Sequence, residues 1–178
     1  MSAVRFIVVM GVSGCGKSTV AALLAGRLGW EFVEGDALHP AANVEKMRLG
    51  IPLDDTDRAP WLQEVARTIR DWRVASKTGI IACSALRRCY REVIVGGADD
   101  VRFIYLRGKS PLIAERLAAR QGHYMPASLL ESQFATLEEP DPDEPVITID
   151  TGASTGELVT EVLSTLHLAP DGYGQGSP

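Results

Sequence analysis

Apolar positions along this chain alternate between two rhythms. Short apolar runs, VRFIVVM (residues 4–10), WEFVE (30–34), GIIAC (79–83), VRFIYL (101–106) and VITID (146–150), read as strands of a buried sheet. Between them apolar residues recur every three or four positions. STVAALLAGRL predicts a helix that Gly29 stops, and SALRRCYREVIV predicts one that ends at Gly96-Gly97. WLQEVARTIRDWRVASKT carries Leu62, Val65, Ile69 and Trp72 on one helical face, with Pro60 in its first turn. SPLIAERLAARQ predicts a helix from about Pro111 to Gln121, followed by ASLLESQFATLE and, after the last strand, GELVTEVLSTLHL. Strand followed by helix, repeated, favours right-handed crossovers and an α/β fold with a parallel sheet. One domain over residues 1–168 is expected, with a Gly- and Pro-rich disordered tail over 169–178.

Composition narrows the partners. The 178 residues are 46% apolar and 23% charged, and no stretch reaches the roughly 20 apolar residues that a membrane-spanning helix needs. The net charge of −5 argues against a nucleic-acid footprint, so any anionic ligand has to be met by local bases. Cys15, Cys83 and Cys89 make neither a CxxC pair nor an even framework, which suits a reducing cytoplasm. Cys83, closing an apolar run, reads as a small buried residue.

The chemistry begins after the first strand. Residues Gly11 to Ser18, GVSGCGKS, match G-x-x-x-x-G-K-[ST] between a predicted strand and a predicted helix, the context that the motif demands. Gly11, Gly14, Cys15, Gly16, Lys17, Ser18 and Thr19 are the expected nucleotide contacts. Backbone N–H groups face the phosphates, Lys17 reaches the β and γ oxygens, and the Ser18 hydroxyl is placed for Mg²⁺. The one Asn, Asn43, is followed by Val, so the base-reading N-K-x-D of Ras-type GTPases is absent. Neither GIIAC nor VRFIYL ends in a Walker B Asp, which leaves a small-molecule kinase as the better fit.

The acceptor side is expected in the passage EGDALHPAANVEKMRLGIPLDDTDRAPWL, residues 34–62. Glu34 and Asp36 stand two apart at the carboxyl end of a strand, where open α/β sheets bind ligands. Asp36 is the expected acceptor contact and base, with a helix-capping turn as its other reading. His39, Asn43 and Lys46 share a helical face that offers donors to a polyol or an acid, with Val44, Met47 and Leu49 packing behind; a solvated face has the same pattern. Arg58 either grips a carboxylate or pairs with Asp54, Asp55 or Asp57. Ser84, with Arg87 and Arg91 on one helical face, follows the third strand. Arg116 and Arg120, one turn apart, stand on an expected lid over about 115–127 and supply arginines in cis to the transferred phosphoryl group.

GVSGCGKST, GDALHPAANVEKMRLGIPLDDTDRAPWL, CSALRRCYRE and RQGHYMPASLLESQFATLEEP, in this order, resemble the gluconokinases. The second block is the specific one, since the wider P-loop kinases share only the first. The resemblance implies a P-loop nucleoside-kinase-like three-layer α/β fold with a five-stranded parallel sheet and a mobile lid. It also implies phosphorylation of D-gluconate to 6-phospho-D-gluconate by ATP and Mg²⁺ in a cytoplasmic homodimer. It puts the acid near Asp36, His39, Lys46, Arg58 and Ser84, the lid arginines at Arg116 and Arg120, and the metal at Ser18 and Glu34. Glu34 stands where Asp is expected, and Tyr124 where Phe is. Two alternatives are a kinase for another small hydroxy acid such as shikimate and a nucleotide-binding module without catalysis.

Overall fold

A computed structural model describes residues 3–109, 111, 113, 115 and 127–170. Five strands, β1 (Phe6–Met10), β2 (Glu31–Glu34), β3 (Gly79–Ala82), β4 (Val101–Arg107) and β5 (Val146–Asp150), form one parallel sheet in the order β2-β3-β1-β4-β5. The helices are α1 (Lys17–Leu28), α2 (Ala41–Arg48), α3 (Asp55–Val74), α4 (Arg88–Val95), α5 (Ala127–Thr136) and α6 (Thr155–Thr165), with a 3₁₀ turn over Gly35–Leu38.

Because side chains alternate along a strand, the sheet feeds two cores. Ile7 and Val9 of β1, with Ile80, Ala82, Ile104 and Leu106, pack against α1 and α6. Phe6, Val8 and Met10, with Ile81, Val101, Phe103 and Tyr105, pack against α3 and α4. All five residues of β1 are fully buried, which explains why its run never alternates. The strand carboxyl ends therefore meet between two filled layers, and the loops that follow β1, β2 and β3 converge there.

Several expectations move. Helix α3 begins at Asp55, five residues before Pro60, because Asp54 and Asp57 close a reciprocal capping box: the Asp57 N–H donates to Asp54 Oδ1 at 2.8 Å and the Asp54 N–H to Asp57 Oδ2 at 3.1 Å. The acidic stretch Asp54–Asp57 is thus the start of the helix. Helix α4 begins at Arg88, with Arg87 outside it as the N-cap residue. In α2 the buried residue is Asn43, whereas Val44 and Leu49 are exposed. The polar side of that helix therefore packs inward. Residues 111, 113 and 115 are helical, and the rest of the expected helix to Gln121 lies outside the described residues, as do most of the expected lid and the last eight residues of the tail. Among the described residues no helix is long and apolar enough to cross a membrane.

Candidate active site

The phosphate end is made mostly of backbone. Gly11 has φ 140°, and a Cβ there would lie 2.8 Å from both the Leu106 carbonyl oxygen and Cys15 Sγ. Only glycine lets the loop leave β1 this close to β4. Gly16, at φ 99°, starts α1 with no side-chain cap, so the first-turn N–H groups keep their donors for a ligand. Ser13, Gly14, Gly16, Lys17, Ser18 and Thr19, with Glu34 and Asp36, line a cavity of about 250 Å³. Two expected contacts serve differently: Gly11 does not line this cavity, and Cys15 buries its side chain in the core beneath the loop. The Lys17 ammonium donates to the Val12 carbonyl at 3.0 Å.

Asp36 reaches the cavity through another close backbone approach. A Cβ on Gly35 would lie 2.4 Å from the Ala82 carbonyl oxygen, and the Gly35 carbonyl accepts from Trp61 Nε1 at 2.8 Å. The chain leaving β2 is thereby pressed onto β3 and pinned by α3. Asp36, Lys17 and Ser13 line both the phosphate cavity and a second one of about 200 Å³, whose wall also includes His39, Arg58, Trp61, Ser84 and Gln133. The two cavities share their border residues, as transfer between two bound molecules requires.

His39 lies parallel on the Trp61 indole, with ring centroids 4.2 Å apart. The Asn43 amide nitrogen lies 3.2 Å from His39 Nδ1 and donates to the Asp57 carbonyl at 2.7 Å. With one amide hydrogen on each acceptor, Nδ1 must be the unprotonated nitrogen and Nε2 carries the proton. Burial pushes the imidazole pKa down, partly offset by Asp36 and reinforced by Arg58. His39 is thus a neutral donor at the cavity wall, with Asp36 lining the same cavity.

Arg58 is held over Tyr90. Its guanidinium carbon lies 5.6 Å from the ring centroid, and Nη1 donates to the Tyr90 hydroxyl at 3.2 Å. That hydroxyl donates to Asp55, which also takes Arg87 Nη1 at 2.6 Å. Arg58 lies 3.9 Å from Asp55, so its nearest carboxylate is at the edge of pairing distance and the guanidinium faces the cavity. Burial and the bond to Asp55 raise the Tyr90 pKa and keep the phenol protonated.

Lys46 is not brought to the cavity. Its ammonium sits on both oxygens of Asp57, at 2.7 and 2.8 Å, so it braces α2 against the start of α3. Arg87 and Arg91 also part ways. Arg87 bridges Asp55 and Glu138, whereas Arg91 is buried and pairs with Glu144 at 2.6 and 2.8 Å. Arg91 Nη1 also lies within 3.3 Å of the Ala85, Leu86 and Glu138 carbonyls. This clamp holds Ala85 at φ 43°, an unusual conformation for a residue with a Cβ, immediately after Ser84 of the cavity wall. Cys83 is buried behind that wall, and burial pushes its thiol up to about 12, in keeping with an inert core residue. Arg116 and Arg120 lie outside the described residues.

Sequence reasoning missed Trp61 as a wall, Tyr90 as the seat of Arg58, and Gln133. For Gln133 there was a signal: in α5 it stands three residues after Leu130 and four before Leu137, a polar residue in an apolar stripe.

Ser18 and Glu34 line the phosphate cavity together, and Mg²⁺ bound to a nucleotide needs few protein ligands because phosphates and waters supply the rest. One hydroxyl and one or two carboxylates fit that demand. Among the described residues there is no group of three or more His, Cys, Asp or Glu side chains that could form a dedicated metal cage.

A family model described as an AAA domain matches residues 6–140. A gluconokinase of Gluconobacter oxydans is 53% identical over 94% of this chain and 93% of its own length. Two solved structures are similar: a sugar kinase of Janibacter sp., with TM-score 0.88 and 46% identity over 94% of this chain and 96% of that one, and a gluconokinase of Sinorhizobium meliloti, with TM-score 0.82 and 42% identity over 93% and 94%. With a P-loop whose cavity adjoins a second one and relatives matched over nearly their whole length, the chain is a P-loop kinase of the gluconokinase family.

Proposed function

We propose that this kinase transfers the γ-phosphoryl group of ATP to a terminal hydroxyl of D-gluconate, giving 6-phospho-D-gluconate and ADP. The observation that carries the reading is the shared border: Ser13, Lys17 and Asp36 line both the phosphate cavity and the neighbouring one. The names of the relatives supply the acid, and the bases around the second cavity suit it.

In this reading the Asp36 carboxylate accepts the hydroxyl proton as the acceptor oxygen bonds to the γ-phosphorus and the bond to the β-γ bridging oxygen breaks. Lys17 leaves the Val12 carbonyl for the β and γ oxygens, where negative charge grows. Arg58 holds the carboxylate of the acid, while the His39 Nε2–H and the Ser84 hydroxyl take hydroxyls along its chain. Lys46 supports this cradle through Asp57 rather than touching the acid. Ser18 and Glu34 would hold Mg²⁺, which would offset phosphate charge. Arg116 and Arg120 keep their expected role as cis arginines on the sequence pattern alone. A homodimer in the cytoplasm belongs to the same reading and rests on family likeness.

The test is ADP release by the purified protein with Mg-ATP against D-gluconate, shikimate, AMP and no acceptor in parallel. Release with D-gluconate alone is expected. Release with shikimate alone would keep the kinase and reassign the cradle, and no release with any acceptor would leave a binding module.

A further inference from the structure

Helix α5 touches the phosphate loop through one side chain. The Ser13 N–H donates to Gln133 Oε1 at 2.6 Å, across 120 residues of chain. An N–H can only meet the carbonyl side of the amide, so the orientation of Gln133 is fixed and its NH₂ turns away from the loop. Gln133 and its neighbour Ser132 line the second cavity with Arg58 and Ser84, and neither lines the phosphate cavity. Among the described residues the Gln133 NH₂ has no protein partner, although the residue is only partly exposed.

We infer that Gln133 is an acceptor-positioning residue: its carbonyl fixes the phosphate loop at Ser13 while its NH₂ donates to an oxygen of the acid bound in the second cavity. This deepens the gluconate reading and rests on it for the identity of the acid. One side chain then sets the distance between the loop that holds the phosphoryl donor and the oxygen-rich acceptor. A neutral donor suits this place, since it favours an anionic, hydroxylated acceptor without adding a charge beside the transferring phosphoryl group.

Gln133→Glu separates the two halves of this role. A carboxylate keeps the acceptor for the Ser13 N–H but replaces the donor with a negative oxygen. The expected result is a KM for D-gluconate raised at least about 10-fold, with ADP affinity and Tm within error of the wild type. Gln133→Met, losing both functions, should lower Tm as well as raise KM. A gluconate KM for Gln133→Glu within twofold of the wild type, or a loss of ADP affinity equal to the rise in KM, would overturn the inference and leave Gln133 a structural tether. If the wild type prefers another acid, the gluconate reading fails and the same ratio is measured with that acid. If it turns over none, calorimetric titration with D-gluconate decides: binding weakened by Gln133→Glu supports the inference, and unweakened or absent binding removes it.

Discussion

The two ends of the site are built from different materials. At the phosphate end, Gly11 and Gly16 shape a loop whose donors are backbone N–H groups, and the side chain of Cys15 faces inward to the core. At the second cavity, the proposed acid end, wall side chains are held by other side chains: Arg58 by Tyr90, Tyr90 by Asp55, Asp55 by Arg87, and His39 by Asn43. A backbone cradle recognises what all nucleotide phosphates share. A side-chain cradle can be tuned to one acid, at the cost of needing a scaffold of ion pairs around it.

If this contrast is right, the largest effect falls on the scaffold. Arg91→Met leaves the buried Glu144 carboxylate with the Asp141 N–H but without its counter-charge, and frees the Ala85–Leu86 turn, so a loss of about 3–5 kcal/mol is expected in urea unfolding. A stability loss under 1 kcal/mol would mean that the acid end does not depend on its ion pairs. Next, Lys17→Met should cut kcat about 100- to 1,000-fold while KM for the acid stays nearly constant. A matching rise in the acid's KM would erase the division between the two ends. Arg58→Ala should do the reverse, raising KM for D-gluconate by about 1.5–3 kcal/mol, roughly 10- to 150-fold. Tyr90→Phe keeps the ring under Arg58 and removes only the hydroxyl, so its effect on the same KM should be about 0.5–1.5 kcal/mol. Should Tyr90→Phe equal Arg58→Ala, the guanidinium is placed by the hydroxyl rather than by the ring.

The smallest effect concerns pH. The folded state depresses the His39 pKa, so the unfolded chain takes up its proton first as pH falls. The stability contributed by the neutral imidazole is present above about pH 6.5 and is lost as pH falls through the folded value. His39→Gln should flatten the stability profile across that window and leave it unchanged near pH 8. An unchanged slope in the variant would mean that other groups set the profile.

The same division explains what the sequence disclosed. GVSGCGKS was legible because a strand, a loop and a helix contiguous in the chain make most of the phosphate cavity, with Glu34 and Asp36 closing it. Asp36 was legible from its place at a strand end. The single helical face expected for His39, Asn43 and Lys46 does not form, because His39 is extended backbone ahead of Pro40 and α2 starts only at Ala41, while Asp57, on another helix, takes both Asn43 and Lys46. Tyr90 and Gln133 meet Arg58 and Ser13 only after crossovers of 32 and 120 residues. No local period encodes such a meeting. The capping box of Asp54 and Asp57 was in reach of the sequence, and the proline six positions into the helix concealed it.

Asp57 serves three masters: its carboxylate closes the start of α3 and grips Lys46, and its carbonyl takes the amide of Asn43. For a lineage drifting toward a different sugar acid, that sharing is a source of epistasis. Changes at positions 43, 46, 54 and 57 will not add, since each alters the background on which the others are judged. The order in which they occur then matters as much as their sum. The joint between α2 and the start of α3 is free to change through a few permitted sequences of steps rather than one residue at a time.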